Sequence, residues 1–284
     1  MSRTRLWVWL VALVLAACAA PPPSSDPSAA FPYRDQLTQL LPADVLILGE
    51  QHDVAHHQRI HLAVVQQLAH SQRLGALALE MASAGHSTAL LTAQANDTDV
   101  QTALHWQNDA WPWSAYGPAV MAAVRAGVVV AGANLPDDRL RGAMTEAALD
   151  GLLPGPALKA QQQAIRLGHC GLLPESQIGP MTRVQIARDI SMAKTVSSLV
   201  KDGQTVLLLT GNGHADPTLG VPLHLPATLM TKTVLLQAQQ ALTAPDSIAS
   251  FNQTWATEAA PLVDYCADFE ASRTPATPAA APAL

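Results

Sequence analysis

DVLILGEQH, residues 44–52, sets an apolar run against a glycine and then a polar tip of Glu50, Gln51 and His52. The run is continuous in Val, Leu and Ile rather than alternating, the pattern of a parallel strand buried on both faces. Four further runs read the same way: GALALE (75–80), GVVVAG (127–132), TVLLLT (205–210) and TVLLQ (233–237). Helical patterns separate them. Val54 to Ser71 carries Ile60, Val64, Val65 and Leu68 on one stripe, and Tyr116 to Ala126 reads as a short crossover helix. A long helical stretch from Ala157 to Lys201 is expected to break at HCGLLPE (169–175) and near Gly179-Pro180. Strands alternating with helices predict an α/β fold, an open and mostly parallel sheet flanked by helices. The segments at about 83–113 and 137–200 exceed simple crossovers and are expected to form a helical cap subdomain.

Open parallel sheets carry their sites beyond the carboxyl ends of the strands. There the chain places Glu50 and His52, Glu80 and Met81, Asn134, and Gly211-Asn212-Gly213-His214. Glu and His together serve general acid–base chemistry or divalent-metal binding. The glycine turn at 211–214 lacks the lysine and hydroxyl of a phosphate loop, and no G-x-G-x-x-G opens a helix after it. Glu80 ends an apolar run, so its burial calls for a partner, and Arg183 or Arg188 is the expected one. His57 and His61 share a helix face, although Gln58 stands where a zinc-binding H-E-x-x-H has glutamate. Trp106, Trp111, Trp113 and Tyr116 stand together in a chain with only 4% aromatic residues. Packing between cap and sheet explains them, and an apolar cofactor pocket is the alternative.

The remaining features bound the class. Arg3 and Arg5, an apolar run from Leu6 and a small-residue end at Cys18 have the layout of a secretory signal. The run is too short to cross a ~30 Å hydrocarbon core at ~1.5 Å per helical residue. Leu15-Ala16-Ala17-Cys18 resembles a bacterial lipobox, which implies a signal peptide over 1–17 and lipidation of Cys18. Ala19 resembles the outer-membrane sorting pattern of Gram-negative lipoproteins and implies a periplasm-facing location. Residues 18–30 read as the anchor and a Pro/Ser/Ala tether, 31–272 as the folded domain, and 273–284 as a disordered tail. A net charge of −6 without a basic cluster excludes nucleic acid. With Cys18 lipidated, Cys170 and Cys266 remain, either as a disulfide or as two buried thiols.

LILGEQHDVAHHQRIH, LALEM, WPWSAYGPAVMAAVRAGVVVAGANLP, HCGLLPE, the PMTRVQIARDISMA run and TGNGHADPTLGVPLHL follow in this order across residues 45–225. Together they closely resemble the ChaN-like haem-binding lipoproteins of bacterial iron uptake. The resemblance implies an α/β domain with a small helical domain that binds haem, two haems being stacked face to face between the subunits of a homodimer. The family holds its iron by a tyrosine, supported by a histidine near the G-E-x-H strand end. Gly49, Glu50, His52, Glu80, Asn134, Arg188, Gly211, Asn212, Gly213 and His214 match the family pattern. The tyrosine position reads His224, which becomes the expected iron ligand because imidazole is a competent one; Tyr116 is the next candidate. The fold also resembles the wider group of erythromycin esterases and Tiki/TraB metalloproteases, which implies a hydrolase with Glu50, His52, Glu80 and His214 as its catalytic set. A haem-binding protein rather than an enzyme is the leading expectation; the third is an envelope lipoprotein without ligand.

Overall fold

The computed structural model describes residues 31–239, 250–261, 263–267 and 270. The expected signal sequence, Cys18, the tether and the tail lie outside them. A short helix α1 (Arg34–Gln39) leads into β1 (Val45–Glu50), α2 (Ala55–His70) and β2 (Leu74–Ser83). Then come α3 (Asp97–Ala103), α4 (Trp113–Arg125) and β3 (Val129–Asn134). The cap follows with α5 (Asp137–Thr145), a 3-10 turn (Ala147–Leu152), α6 (Gly155–Gly168) and α7 (Glu175–Leu199). The chain returns through β4 (Thr205–Gly211), a one-turn helix α8 (Asn212–Ala215), a 3-10 turn (Val221–His224), β5 (Thr231–Ala238) and β6 (Gln253–Thr257).

The six strands form one sheet in the order β3-β2-β4-β1-β5-β6, every pairing parallel. Alternate residues of each strand feed two cores. Leu46, Leu48, Leu77, Leu79, Leu207 and Leu209 meet α2 and α4 on one face. Val45, Ile47, Ala76, Ala78, Val206 and Leu208 meet α7 on the other. Each large side chain so buried contributes roughly 1.5–3 kcal/mol. Alanines at 76 and 78 let α7 lie close to the sheet through Met192, Ala193 and Val196.

Four details differ from the sequence reading. β6 was not among the expected strands: it is a five-residue edge strand whose inward positions are Trp255 and Thr257, too short and too mixed to give a continuous apolar signal. The segment 83–113 is mostly loop, with α3 its only helix among the described residues. Gly179-Pro180 does not break α7; Pro180 lies inside the helix, where it lacks the N–H that would bond the carbonyl of Ser176. Finally, α7 is not wholly cap. Val184 and Ile186 pack with α5 and the 3-10 turn, whereas its second half covers the sheet.

Two structural devices prepare the site. β2 spans Leu79 to Ser83 while β3 spans Gly132 to Asn134, an irregularity that re-aims the strand end around Glu80. Gly132 permits this, since a Cβ there would lie 2.2 Å from the Ser83 carbonyl oxygen. Cys170 and Cys266 are joined in a disulfide. It ties the corner between α6 and α7 to the segment holding Tyr265, whose hydroxyl hydrogen-bonds Asp53 just past β1.

Candidate functional site

The carboxyl ends of β1, β2, β3 and β4 open into a cleft of about 820 Å³. Its lining includes Glu50, His52, Glu80, Asn134, Asn212 and His214, so the sheet edge brings the expected polar tips together.

Glu50 and Glu80 flank the end of β4, and each is almost wholly buried, at 1% and 5% exposure. Burying a carboxylate is costly unless it is hydrogen-bonded or paired with charge; Glu50 has partners on both oxygens, whereas Glu80 takes its hydrogen bonds on Oε2 and faces two imidazoles with Oε1. Glu50 accepts from the Tyr116 hydroxyl at 2.7 Å and the Gln58 amide at 2.7 Å, and pairs with His52 Nδ1 at 2.8 Å. Burial acts to raise its pKa, and His61, His52 and Tyr116 outweigh that, so the net shift is downward. His61 is itself kept neutral by burial, which leaves His52 and Tyr116 as the partners that matter. Glu80 accepts from the Thr210 hydroxyl and the Gly211 N–H, both at 2.7 Å. Burial would raise its pKa too, but His214 and His52 with these two donors bring it below the usual range.

The two imidazoles play different parts. His52 Nε2 stands 3.9 Å from Glu80, and its side chain is 39% exposed, edge-on to Trp111 at 4.8 Å. Burial disfavours its proton, yet the hydrogen bond from Glu50 and the charge of Glu80 prevail and raise its pKa. His214 Nδ1 pairs with Asp189 at 2.6 Å and its Nε2 lies 3.6 Å from Glu80. Burial disfavours the imidazolium, but Asp189 and Glu80 overcome it and raise the pKa to about 9. Asp189 is pushed up to about 6 by its own burial, against the pull of His214. The pair with Asp189 thus favours the protonated form of His214.

Glycines make the approach possible. A Cβ on Gly211 would sit 2.8 Å from His52 Nε2, and one on Gly49 would meet Ala215 and Asn212 at 2.8 and 2.9 Å. Both positions need a missing side chain rather than an unusual backbone.

Other expected residues fall elsewhere. Tyr116 does not offer a ligand oxygen: it is buried in the core, its hydroxyl is committed to Glu50, and its pKa is raised. His57 spends both ring nitrogens, on the Gln51 N–H and the Thr257 hydroxyl, and burial lowers its pKa to about 4. Among the described residues no cluster of three or more His, Cys, Asp and Glu can hold a metal ion. Neither arginine partners Glu80; Arg183 forms a two-pronged pair with Asp150, and Arg188 lines the cleft. His224, on its 3-10 turn, is half-buried, does not line the cleft, and keeps an Nε2 without a hydrogen-bond partner among the described residues. Trp106 packs on Trp113 and Tyr116, and Trp111 lines the cleft beside His52.

Sequence reasoning missed His86 and His105. They stack at 4.1 Å between ring centroids and line the cleft mouth, His86 being carried there by a loop whose carbonyl accepts from Gly132 N–H. Neither lies in a motif or at a strand end, so the sequence offered no signal for them.

An open parallel sheet with a carboxylate–imidazole cleft at its carboxyl edge defines the class of protein. The chain belongs to the family described as haem-binding uptake, Tiki superfamily, ChaN, whose pattern matches residues 36–225. No curated protein matches the chain. Among solved structures it is similar to the cofacial haem-binding ChaN of Campylobacter jejuni, at 24% identity and a TM-score of 0.63, over 74% of this chain and 87% of that one. Weaker likenesses are the type III effector HopBA1 (16% identity, TM-score 0.45, 87% of this chain and 100% of that one) and the erythromycin esterase EreC (15%, 0.43, 72% of each).

The Asp189–His214 pair makes a pH prediction. A raised histidine pKa lends stability that is complete below about pH 6.5 and is lost as pH rises through about 9. In NMR titrations His214 is expected to change protonation near pH 9, and Asp189→Asn to lower that midpoint by more than ~1 unit. An unchanged midpoint in the variant contradicts the assignment.

Proposed function

We propose that this chain is a haem-binding protein of the bacterial cell envelope serving iron uptake, with haem held at the sheet-edge cleft. The family carries the class of ligand; the donor set of the cleft carries the place. A haem-ligating imidazole is best held when its second nitrogen binds a carboxylate, which fixes the ring and makes it more basic. His52 meets that description, with Nδ1 on Glu50, Glu50 held in turn by Tyr116 and Gln58, and Nε2 toward the cleft. The cleft volume lies inside the ~300–1,000 Å³ range of small-molecule sites. The His52–Glu50 pair suits an iron ligand, whereas the lining around it is mostly polar, with Trp111 as its large apolar wall.

Haem would supply the iron; the protein's part is to hold and orient it. His52 is the imidazole for the iron, Glu50 its orienting carboxylate, and Trp111 an apolar wall. His224 is the second donor, since its Nε2 is unpartnered and lies outside the cleft. Such an outlying ligand suits a haem shared between two copies of the chain, the dimeric arrangement proposed for the loaded protein. The lipobox at Leu15–Cys18 supports an outer-membrane anchor and a periplasm-facing domain.

A second reading, acid–base hydrolysis, is favoured by one observation. His52 and His214 both direct Nε2 at the same oxygen of Glu80, at 3.9 and 3.6 Å. A carboxylate base beside a protonated imidazole can take a proton from water and give one to a leaving group.

Titration of the purified domain with haem tests both. A Soret shift is expected in wild type and His224→Ala, with affinity lowered more than ~10-fold in His52→Ala, a ligand being worth at least as much as its second-shell partner. No wild-type shift sinks the haem reading; a shift lost only in His224→Ala moves the ligand there. Turnover of a chromogenic ester that vanishes in Glu80→Gln would instead support hydrolysis. For the anchor, Cys18→Ser is expected to move the full-length protein from the membrane to the soluble fraction, and an unchanged distribution contradicts lipidation.

A further inference from the structure

Beyond β6 the chain is fastened to both sides of the cleft. On one side, the Glu258 N–H donates to His56 Nδ1 at 3.1 Å and its carboxylate pairs with Arg59 at 3.1 Å, both on α2. The Tyr265 hydroxyl bonds Asp53, the neighbour of the cleft residue His52. On the other side, Cys266 is bonded to Cys170 at the corner between α6 and α7. Asp264 shapes this attachment, accepting from the N–H groups of Cys266 and Ala267 at 3.1 and 3.0 Å.

The corner so held is the loose end of a wall. Of the 14 residues of α6 only Ile165 is buried. The ion pair across the corner, Arg166 with Glu175, is solvent-exposed and holds little. Cys170 also fills the left-handed position after the helix, with φ of 59°, where glycine is the usual residue. Its N–H bonds the Leu167 carbonyl, and that of Gly171 the Arg166 carbonyl. Behind α6 lies a second cavity of about 280 Å³, with Ala164, Ile165 and His169 on one side and Asp189 and His214 on the other. It shares Gln185, Gly213 and His214 with the cleft. The disulfide therefore fastens the outer wall of a chamber that adjoins the site.

The bond is also open to attack, since Cys266 is exposed and Cys170 only partly buried. We propose that Cys170–Cys266 is a thiol-controlled latch: a dithiol reductant opens it, frees the α6–α7 corner from the β1–α2 turn and opens the chamber beside Asp189 and His214. A thiolate of the reductant attacks Cys266 Sγ, the S–S bond breaks, and Cys170 leaves as a thiolate that takes a proton from water. The second thiol of the reductant then attacks the mixed disulfide and releases Cys266. Two electrons pass to the protein, and the reductant ends as a disulfide. The latch needs no assumption about what the cleft binds.

Hydrogen–deuterium exchange of the full-length protein in detergent tests it, read by mass spectrometry before and after treatment with dithiothreitol, itself a dithiol. Thiol alkylation follows the opening of the bond. Native protein is expected to be reduced within about tenfold of the rate in denaturant, as an exposed sulfur allows. Exchange in α6 is then expected to accelerate by at least ~10-fold, with β1 and β4 unchanged, as local opening requires. Cys170→Ser/Cys266→Ser is expected to match the reduced protein without reductant, and reoxidation of wild type to restore slow exchange. A bond that yields only on unfolding overturns the latch, and so does reduction that leaves α6 exchange unchanged. A bond spanning 96 residues also restrains the unfolded chain. Acceleration in β1 and β4 equal to that in α6 would therefore mark the bond as a global brace and overturn the latch.

Discussion

Two carboxylates buried on either side of one strand end set the terms for the whole site. Glu50 and Glu80 lie at the carboxyl edge of the sheet, with the end of β4 between them. A buried charge survives only when its remaining lone pairs are satisfied, so the surroundings must converge on these oxygens. They arrive from α2 through Gln58, from α4 through Tyr116, from β4 through Thr210 and Gly211, and from the strand ends through His52 and His214. Elements distant in sequence are thereby pinned to one point. Asp189 extends the chain of contacts into α7, so the helix that covers the sheet also supports the cleft.

Close approach is the second requirement. Gly211 gives His52 its place, Gly49 gives room to the turn after β4, and Gly132 admits the doubled step at the end of β2. Near the same edge, Gln185 Oε1, Arg188 Nε and Asn212 Oδ1 have no hydrogen-bond partner among the described residues.

The five long strands were legible because each is a continuous apolar run, and the site edge followed from where those runs stop. β6 escaped because five residues with one large apolar side chain give no run. The loops of 83–113 read as helix only because their length exceeded a crossover. Glu80 was rightly expected to need a partner, but not the one found: sequence spacing cannot show that α7 turns Arg183 toward Asp150 and brings Asp189 to His214. Tyr116 stood out for its aromatic company, whereas its hydroxyl serves Glu50. Unpartnered atoms, and the stacking of His86 on His105, exist only in three dimensions and leave no local trace in the chain.

The proposed haem site rests on the carboxylate network: Glu50 fixes His52 through Nδ1, and Nε2 faces Glu80 at the cleft. The most direct measurement is a crystal structure of the haem-loaded protein. The account requires porphyrin in the sheet-edge cleft with iron bonded to His52 Nε2 and the Glu50–His52 hydrogen bond intact. Porphyrin bound away from the cleft, or with His52 uncoordinated inside it, would contradict the account.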